Sequence, residues 1–156
     1  MFKRVLDVLG ALAGLVVGAP LLAAGALLIL LEDGPPVVFV QPRVGRGGRV
    51  FPCFKLRTMV RGAGEGPCPA PPGDPRHLGC GRFLRRWAVD ELPQLVNVLR
   101  GEMSLVGPRP AQPWEAGDWS ERDRRRLDVR PGLTGLAQVR GRNRLTWPER
   151  LELDLE

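Results

Sequence analysis

The longest apolar stretch of the chain lies near its N-terminus. Residues 8–31 carry no charged side chain, and charged residues border them on both sides. A helix that is apolar on every face over this length is typical of a membrane segment. A buried helix of a soluble protein and a cleaved signal peptide are the alternatives. Cleavage after the small residues at 24–26 would leave an apolar new terminus at residues 27–31.

Pro20 divides this apolar stretch into two arms, residues 8–19 and 21–31. At ~1.5 Å per residue each arm reaches ~17 Å, about half of a ~30 Å hydrocarbon core. Basic residues lie on both flanks, namely Lys3 and Arg4 before it and Arg43, Arg46 and Arg49 after it. The pattern favours a re-entrant helix broken at Pro20 with both ends in the cytoplasm. A tilted span with a proline kink is the alternative.

The next pattern is a pair of short apolar or alternating stretches, which are typical of strands. They cover residues 37–40 and 50–56, and a glycine-containing turn separates them, so we predict a β-hairpin. In the second strand the period of two places Lys55 and Arg57 on one face. The glycines of the turn do not form a P-loop, because no Lys-Ser or Lys-Thr follows them.

Short helices are predicted in the remainder. They cover residues 78–87, residues 91–99 and a part of 114–127. The second would begin at Asp90 as its N-cap, with Pro93 in its first turn. Residues 62–75 contain nine Gly or Pro and predict a loop, and residues 130–135 and 141–143 have the composition of turns. The expected class is α+β, with an N-terminal re-entrant membrane helix at 1–33 and a small helix-rich cytoplasmic domain with a β-hairpin at 34–156.

Composition restricts the chemistry. The 156 residues allow one domain, and the formal net charge is +6, with Lys3 and Lys55 the only lysines among 23 basic residues. His77 is the only histidine, and the three cysteines show no CxxC spacing. A His-rich metal site, a zinc ribbon and a disulfide scaffold are therefore not supported.

The adjacent acids Asp90 and Glu91 are the first candidates for chemistry. At a helix start a carboxylate stays ionised, and it can act as a nucleophile or bind a metal. Helix capping alone would also explain them. Arg85 lies shortly before the pair, and Arg109 lies between two prolines that stiffen its backbone, which suits phosphate binding. An exposed turn with a solvated arginine is the alternative for Arg109.

Two further charged features have simpler interpretations. Lys55 stands out because the chain otherwise almost always uses arginine, although chance explains a single lysine equally well. The triplet Arg124–Arg126 is interpreted as a surface that faces solvent or lipid headgroups. The cysteines and His77 are interpreted as ordinary side chains.

Taken together, the motifs closely resemble the bacterial sugar transferases that load polyprenyl phosphate, the monotopic phosphoglycosyl transferases. The motifs are Lys3-Arg4 with Asp7, Phe39–Gly45, Phe51 with Lys55–Met59, Asp90–Leu95, Met103–Pro110, Pro131–Gly135 and Gly141–Asn143. The resemblance covers nearly the whole chain. Family members often have Ser before the proline where this chain has Ala19, and their C-termini usually run further than residue 156.

The resemblance implies an activity and a set of site residues. A nucleotide diphosphate sugar, most often a UDP-sugar, would give its sugar 1-phosphate to a polyprenyl (undecaprenyl) phosphate and release UMP. This transfer would be the first membrane step of glycoconjugate synthesis. Asp90 would be the nucleophile, and Glu91 with Asp90 would hold Mg²⁺. The implied substrate- and phosphate-binding residues are Lys55, Arg57, Arg85, Arg109, Arg142 and Asp154.

The resemblance also implies a location and partners. The catalytic domain would lie on the cytoplasmic face of the bacterial inner membrane, with the UDP-sugar, undecaprenyl phosphate and membrane lipid as partners. Nucleic acid is not among them, and a homodimer is left open. Two alternatives remain without catalysis: a membrane-tethered basic module that binds nucleic acid or anionic lipid, and a single-pass interaction protein with tryptophans on a partner surface.

Overall fold

The computed structural model describes residues 2–63, 73–117, 119–141 and 144–155. The helices are α1 Phe2–Asp33, α2 Gly79–Arg86, α3 Gln94–Arg100, α4 Glu121–Arg124, α5 Leu136–Arg140 and α6 Trp147–Leu155. The strands are β1 Val38–Val44, β2 Val50–Leu56, β3 Ser104–Val106 and β4 Gly132–Thr134. Short 3₁₀ turns cover Arg46–Gly48, Val89–Glu91 and Arg125–Asp128. The mixed α and β composition behind a long apolar N-terminal helix is confirmed.

Helix α1 contains the whole apolar segment. Its 32 residues correspond to ~48 Å, and Pro20 lies inside the helix, which continues on both sides of it. Val16, Val17 and Leu31 are each at least 75% exposed. Among the described residues, α1 is the one helix long and apolar enough to cross a membrane. The bend at Pro20 and the placement of both ends in the cytoplasm stay predictions.

The described chain forms two compact units. The first unit comprises Met1–Ala13, Gln41–Cys53 and Gln94–Glu156, and the second comprises Gly14–Val40 and Phe54–Pro93. Helix α1 therefore contributes residues to both. The predicted boundary at residue 33 separates a membrane anchor from a cytoplasmic domain. The two compact units do not test that boundary, and it stays a prediction.

The core of the second unit joins the later part of α1 to the end of β2 and to α2. Ile29, Leu56 and Leu84 are at most 5% exposed and belong to one apolar cluster with Leu78 and Val89. A Cβ atom added to Gly25 would lie 2.9 Å from Leu56 and 3.1 Å from Leu84. The small residue therefore lets the backbone of α1 approach this core closely.

The charged residues before the apolar segment stabilise the first unit. Asp7 is buried, and its carboxylate accepts hydrogen bonds from the Ser104 hydroxyl at 2.9 Å and the Leu105 amide at 3.0 Å. Arg4 donates to the carbonyls of Val98 at 2.6 Å and Leu99 at 2.9 Å, at the end of α3. These contacts tie the start of α1 to α3 and β3.

The predicted β-hairpin is confirmed as β1 and β2, which form a two-stranded sheet. Gly47 and Gly48 have φ angles of 66° and 77°, values that glycine adopts without strain. A second sheet was not predicted: β3 and β4 pair in parallel, with Ser104 opposite Gly132. Residues 132–134 are thus a strand and not only a turn.

The predicted helices differ from the structure at their ends. The helix at 78–87 is confirmed as α2. The helix predicted at 91–99 begins at Gln94, and Asp90 lies in the preceding 3₁₀ turn, so its assignment as the N-cap of that helix was wrong. The helix within 114–127 is shortened to α4 and a 3₁₀ turn. Helices α5 and α6 were not predicted. Of the predicted loop at 62–75, residues 64–72 lie outside the described residues.

Candidate functional site

Asp90 lies in a tight turn of the second unit. Ala88, just before this turn, has a φ of 55°, a left-handed conformation that residues other than glycine rarely adopt. The turn buries Val89 in the apolar core, and Asp90 is itself only 7% exposed. The chain therefore accepts both backbone strain and a buried carboxyl group here, a combination that is typical of functional sites.

Charged neighbours act on the Asp90 carboxyl group in opposite directions. Burial raises its pKa, and the negative charge of Glu91 raises it further. The positive charges of Lys55 and Arg85 act against this rise. Asp90 is thus a carboxyl group more basic than usual, surrounded by cations that favour an anion.

Lys55 contacts the acidic pair directly. Its Nζ lies 3.2 Å from Oε1 of Glu91, and the two side chains are 17% and 19% exposed. Strand β2 carries Lys55, and the turn after α2 carries Glu91. The structure thus brings together Lys55, Asp90 and Glu91, three residues that the family resemblance predicted as one site.

Arg57 contacts other partners than Lys55 does. Its guanidinium forms an ion pair with Asp33 and donates to the carbonyl oxygens of Gly34 and of Pro36, the latter at 2.6 Å. The side chain is only 7% exposed. Strand β2 ends at Leu56, and just beyond it the Arg57 amide donates to the Val37 carbonyl at 2.8 Å. The shared face of Lys55 and Arg57 stays a prediction. A phosphate contact of Arg57 stays a prediction, for a guanidinium that already has protein acceptors.

Arg85, in the last turn of α2, is oriented by the single histidine. Its Nη1 lies 2.8 Å from Nε2 of His77. Burial and the charge of Arg85 lower the pKa of His77, which favours a neutral ring whose Nε2 accepts this hydrogen bond. Sequence reasoning treated His77 as an ordinary side chain. No local pattern would have revealed its role, because the contact depends on how α2 packs.

Glu32 is a second residue that the sequence did not single out. The residue before α2 is Leu78, which provides no side-chain cap. Instead the Glu32 carboxylate accepts from the amides of Gly79 at 2.6 Å and Cys80 at 2.9 Å. These are amides of the first turn, which have no partner within the helix. The end of α1 thereby fixes the start of the helix that carries Arg85.

Arg109 and Asp154 belong to the first unit. Arg109 is exposed, and the prolines on either side of it are buried. The Arg109 carbonyl accepts a 2.8 Å hydrogen bond from Nη2 of Arg126, and its amide donates to the Asp154 carboxylate. Asp154 forms an ion pair with Arg126, and its side chain is 3% exposed. Arg142 lies outside the described residues.

Arg126 corrects the interpretation of the arginine triplet as a polar surface. Its side chain is 4% exposed, and its guanidinium lies over the ring of Trp119, 4.7 Å from the centroid. Trp147 lies on the same guanidinium at 6.0 Å. Burial lowers the pKa of Arg126 and raises that of Asp154, and each charge favours the ionised form of the other. A run of three arginines gave no sign that one of them is buried.

The carboxyl groups at Asp90 and Glu91 are the donors available here for a magnesium ion. Mg²⁺ is usually held by one or two carboxylates together with substrate phosphates. Asp90 and Glu91 supply two adjacent carboxyl groups whose mutual repulsion raises the pKa of Asp90, so a divalent cation would relieve it. Within the described ranges no three His, Cys, Asp or Glu side chains cluster as a ready-made metal site. The residues present fit an ion that substrate phosphates also bind.

Comparison with known proteins gives one consistent family. The model of the family "Bacterial sugar transferase" matches residues 1–156. UDP-glucose:undecaprenyl-phosphate glucose-1-phosphate transferase of Caulobacter vibrioides is 51% identical over 143 residues, covering 89% of this chain and 54% of the relative. Undecaprenyl-phosphate galactose phosphotransferase of Salmonella typhimurium is 37% identical over 168 residues, covering 97% and 35%.

A third relative is matched over more of its length. Exopolysaccharide production protein ExoY of Rhizobium meliloti is 36% identical over 172 residues, covering 100% of this chain and 76% of the relative. The chain thus spans about half of the Caulobacter protein and about a third of the Salmonella protein. The family model covers the residues of the candidate site. The chain therefore belongs to the bacterial sugar transferase family.

Proposed function

We propose that this chain transfers a sugar 1-phosphate from a UDP-sugar to undecaprenyl phosphate through a covalent intermediate on Asp90, and releases UMP. The observation that carries the proposal is the position of Asp90, a buried carboxyl group beside Glu91 and under the charges of Lys55 and Arg85. The activities by which the Caulobacter and Salmonella relatives are named, both transfers to undecaprenyl phosphate, support it. The name of the Rhizobium relative refers to exopolysaccharide production, and we infer polysaccharide synthesis as the setting of this transfer.

In the first step a carboxylate oxygen of Asp90 attacks the phosphorus that carries the sugar. A bond from this oxygen to phosphorus forms, the bond from phosphorus to the bridging oxygen breaks, and UMP leaves with the electron pair. In the second step a phosphate oxygen of undecaprenyl phosphate attacks the same phosphorus. The Asp90 carboxylate is released, and the product is an undecaprenyl diphosphate sugar.

The charges around Asp90 suit this chemistry. A carboxylate that attacks a diphosphate is repelled by its negative charge. Cations are therefore needed near the carboxylate and near the diphosphate. In the second unit, Lys55 and Arg85 supply positive charge near the Asp90 carboxyl group. Burial keeps Asp90 more basic than a solvated carboxylate and therefore a better nucleophile. The positive charges of the same two cations act against the rise of its pKa and so favour its ionised form.

Asp90 and Glu91 would hold Mg²⁺ in this proposal. When bound, the ion would neutralise charge on the diphosphate of the donor. Glu91 has a second task, because its Oε1 lies 3.2 Å from Nζ of Lys55 and so holds the ammonium beside the acidic pair. Phosphate or substrate contacts of Arg57, Arg109, Arg142 and Asp154 are carried by the family resemblance alone.

The proposed location is the inner membrane, with both ends of α1 on the cytoplasmic side. The exposed apolar side chains of α1 and the basic residues on both flanks support it. Cysteine-accessibility labelling before Phe2 and after Gly34 tests it in inverted and right-side-out vesicles. Labelling of both positions from the cytoplasmic side is expected, and labelling from opposite sides would require a spanning helix. Pro20→Leu should then favour the spanning arrangement.

The covalent intermediate is tested by trapping it. Wild-type protein given a UDP-sugar and Mg²⁺ without acceptor should release UMP once per active site and gain the mass of one sugar phosphate. Asp90→Asn should do neither, while it still inserts into membranes and stays folded. A panel of UDP-sugars identifies the donor. An active Asn variant, or no adduct on quenched wild type under turnover conditions, would leave only direct transfer or no transfer.

A further inference from the structure

The Arg126–Asp154 pair binds both main-chain polar groups of Arg109. Arg126 donates to the Arg109 carbonyl at 2.8 Å, and Asp154 accepts from the Arg109 amide. The two side chains are joined by their own ion pair and are 4% and 3% exposed. Both peptide groups next to the Cα atom of Arg109 are therefore held by the same buried pair.

The sequence around Arg109 adds to this restraint. Pro108 and Pro110 are both buried, and proline fixes its own φ and restricts the residue before it. The side chain of Arg109 is nevertheless exposed. The result is a fixed backbone that carries a solvent-accessible guanidinium, an arrangement that lowers the entropy lost when the guanidinium binds an anion.

A buried ion pair is a costly way to join two pieces of chain. Apolar residues of similar volume stabilise proteins as well or better, so stability alone does not account for such a pair. The exposed pair Arg122–Glu152 joins α4 to α6 already, with side chains 63% and 57% exposed. The buried pair differs from the exposed pair in its hydrogen bonds to the main chain of Arg109.

We propose that Arg126 and Asp154 are positioning residues that fix the backbone of Arg109 so that its guanidinium is presented to a substrate phosphate. The inference rests on the proposed function for the phosphate contact of Arg109. It gives Asp154 a different task from direct substrate binding. Trp119 and Trp147, which cover the guanidinium of Arg126, then serve to hold it in place.

A double-mutant cycle separates positioning from mere stability. Arg109→Ala should lower turnover about 100- to 1,000-fold, the range for a lost donor to a developing charge. Arg126→Met with Asp154→Leu, which replaces the pair by apolar side chains, should lower it at least tenfold with a similar thermal midpoint. The loss in this double variant should be divided between kcat and KM in the same ratio as the loss in Arg109→Ala. The triple variant combines Arg109→Ala with the double replacement, and its turnover should be close to that of Arg109→Ala alone. A loss equal to the product of the two separate losses would overturn the inference.

The control variant uses the neighbouring pair. Arg122→Met with Glu152→Leu removes an ion pair between the same parts of the chain and should leave turnover within about twofold of wild type, as surface pairs contribute little. An equal loss in this control would assign the effect to the docking of α6. Should the buried double variant not fold, Arg126→Lys provides the second test. In wild type Nη2 of Arg126 contacts both Asp154 and the Arg109 carbonyl. The shorter lysine side chain keeps the positive charge for Asp154 but moves the donor nitrogen away from the Arg109 carbonyl. Turnover of this variant should still fall, and wild-type turnover in it would overturn the inference.

Hydrogen exchange tests the grip on Arg109 without any activity. Because prolines carry no amide hydrogen, Arg109 provides the one exchangeable backbone amide of residues 108–110. This amide should exchange slowly in wild type and at least tenfold faster in the buried double variant, with no change in the control. Unchanged exchange would overturn the inference. Faster exchange in a protein that transfers no sugar phosphate from any UDP-sugar would instead reject the proposed function and leave the grip on Arg109 intact.

Discussion

The two units each contain a buried aspartate whose pKa is raised by burial, and they treat its charge differently. Asp154 is paired directly with the guanidinium of Arg126, so its charge is compensated inside the fold. Asp90 has another carboxylate, Glu91, as its neighbour, and Lys55 is bound to Glu91. Burial of a carboxyl group alone therefore does not identify a reactive residue. A neighbour of like charge does, because it leaves the group ready to meet a cation or an electrophile.

The first prediction contrasts the two aspartates by activity. Asp90→Asn should lower the rate of UMP release by about 10⁴-fold or more, because loss of a nucleophile leaves only residual catalysis. Asp154→Asn should lose far less when assayed well below its thermal midpoint, since Asn still accepts from the Arg109 amide. Radiolabelled sugar phosphate transferred to undecaprenyl phosphate gives the two rates. Equal losses would remove the distinction between the two residues.

The second prediction contrasts them by stability. Asp154→Asn should lower the free energy of unfolding by about 3–5 kcal/mol, because it leaves the charge of Arg126 buried without a partner. Replacing both residues, by Arg126→Met with Asp154→Leu, should cost much less. Asp90→Asn should not destabilise at all. Denaturant titration in detergent measures these differences, and a stable Asp154→Asn variant would contradict the role of the pair.

Lys55 tests the electrostatic part of the comparison. Lys55→Met should lose about 2–4 kcal/mol of transition-state stabilisation, the size found for a lost electrostatic donor. Its effect on folding should stay near 1 kcal/mol or less, because its ion pair with Glu91 is partly exposed. Arg46→Met, at an exposed position of the hairpin turn, is the matched control and should keep its activity. Full turnover of Lys55→Met would exclude Lys55 from the site.

The smallest effect expected is a pH dependence of stability. The raised pKa of Asp90 in the fold means that its neutral form is favoured there, so stability is lost as the pH rises through the folded pKa. Asp90→Asn should therefore be more stable than wild type at pH 7. The difference should shrink on acidification and vanish below about pH 4, near the pKa of an unfolded aspartate. Thermal midpoints of both proteins from pH 4 to pH 8 provide the measurement.

Local patterns were sufficient where an element is long or where its periodicity is strong. The apolar run predicted α1, two apolar or alternating stretches around a glycine turn predicted the hairpin, and the apolar and basic residues at 78–87 predicted α2. Local patterns also made candidates of Lys55, Asp90 and Glu91, and the family resemblance grouped them into one site. They come together because the hairpin and the turn after α2 share the core around Leu56 and Leu84.

Local patterns failed where the cause is distant in sequence. Strands β3 and β4 have three residues each, too few to display a period, and they pair because Gly107 and Gly132 permit close contact of their backbones. The burial of Arg126 depends on Trp147 and Asp154, more than twenty residues away. A sequence pattern read within one window contains neither kind of information.

The last two residues of α1 have a consequence for where the reaction takes place. Glu32 holds the start of α2, which leads to Arg85, and Asp33 holds Arg57, two residues after Lys55. If α1 is the membrane anchor, its depth in the lipid sets the height of Arg85 and Lys55 above the bilayer surface. Catalysis should then depend on membrane thickness. Nanodiscs of graded acyl-chain length should give a maximum of turnover at the thickness that brings the acceptor phosphate level with Lys55.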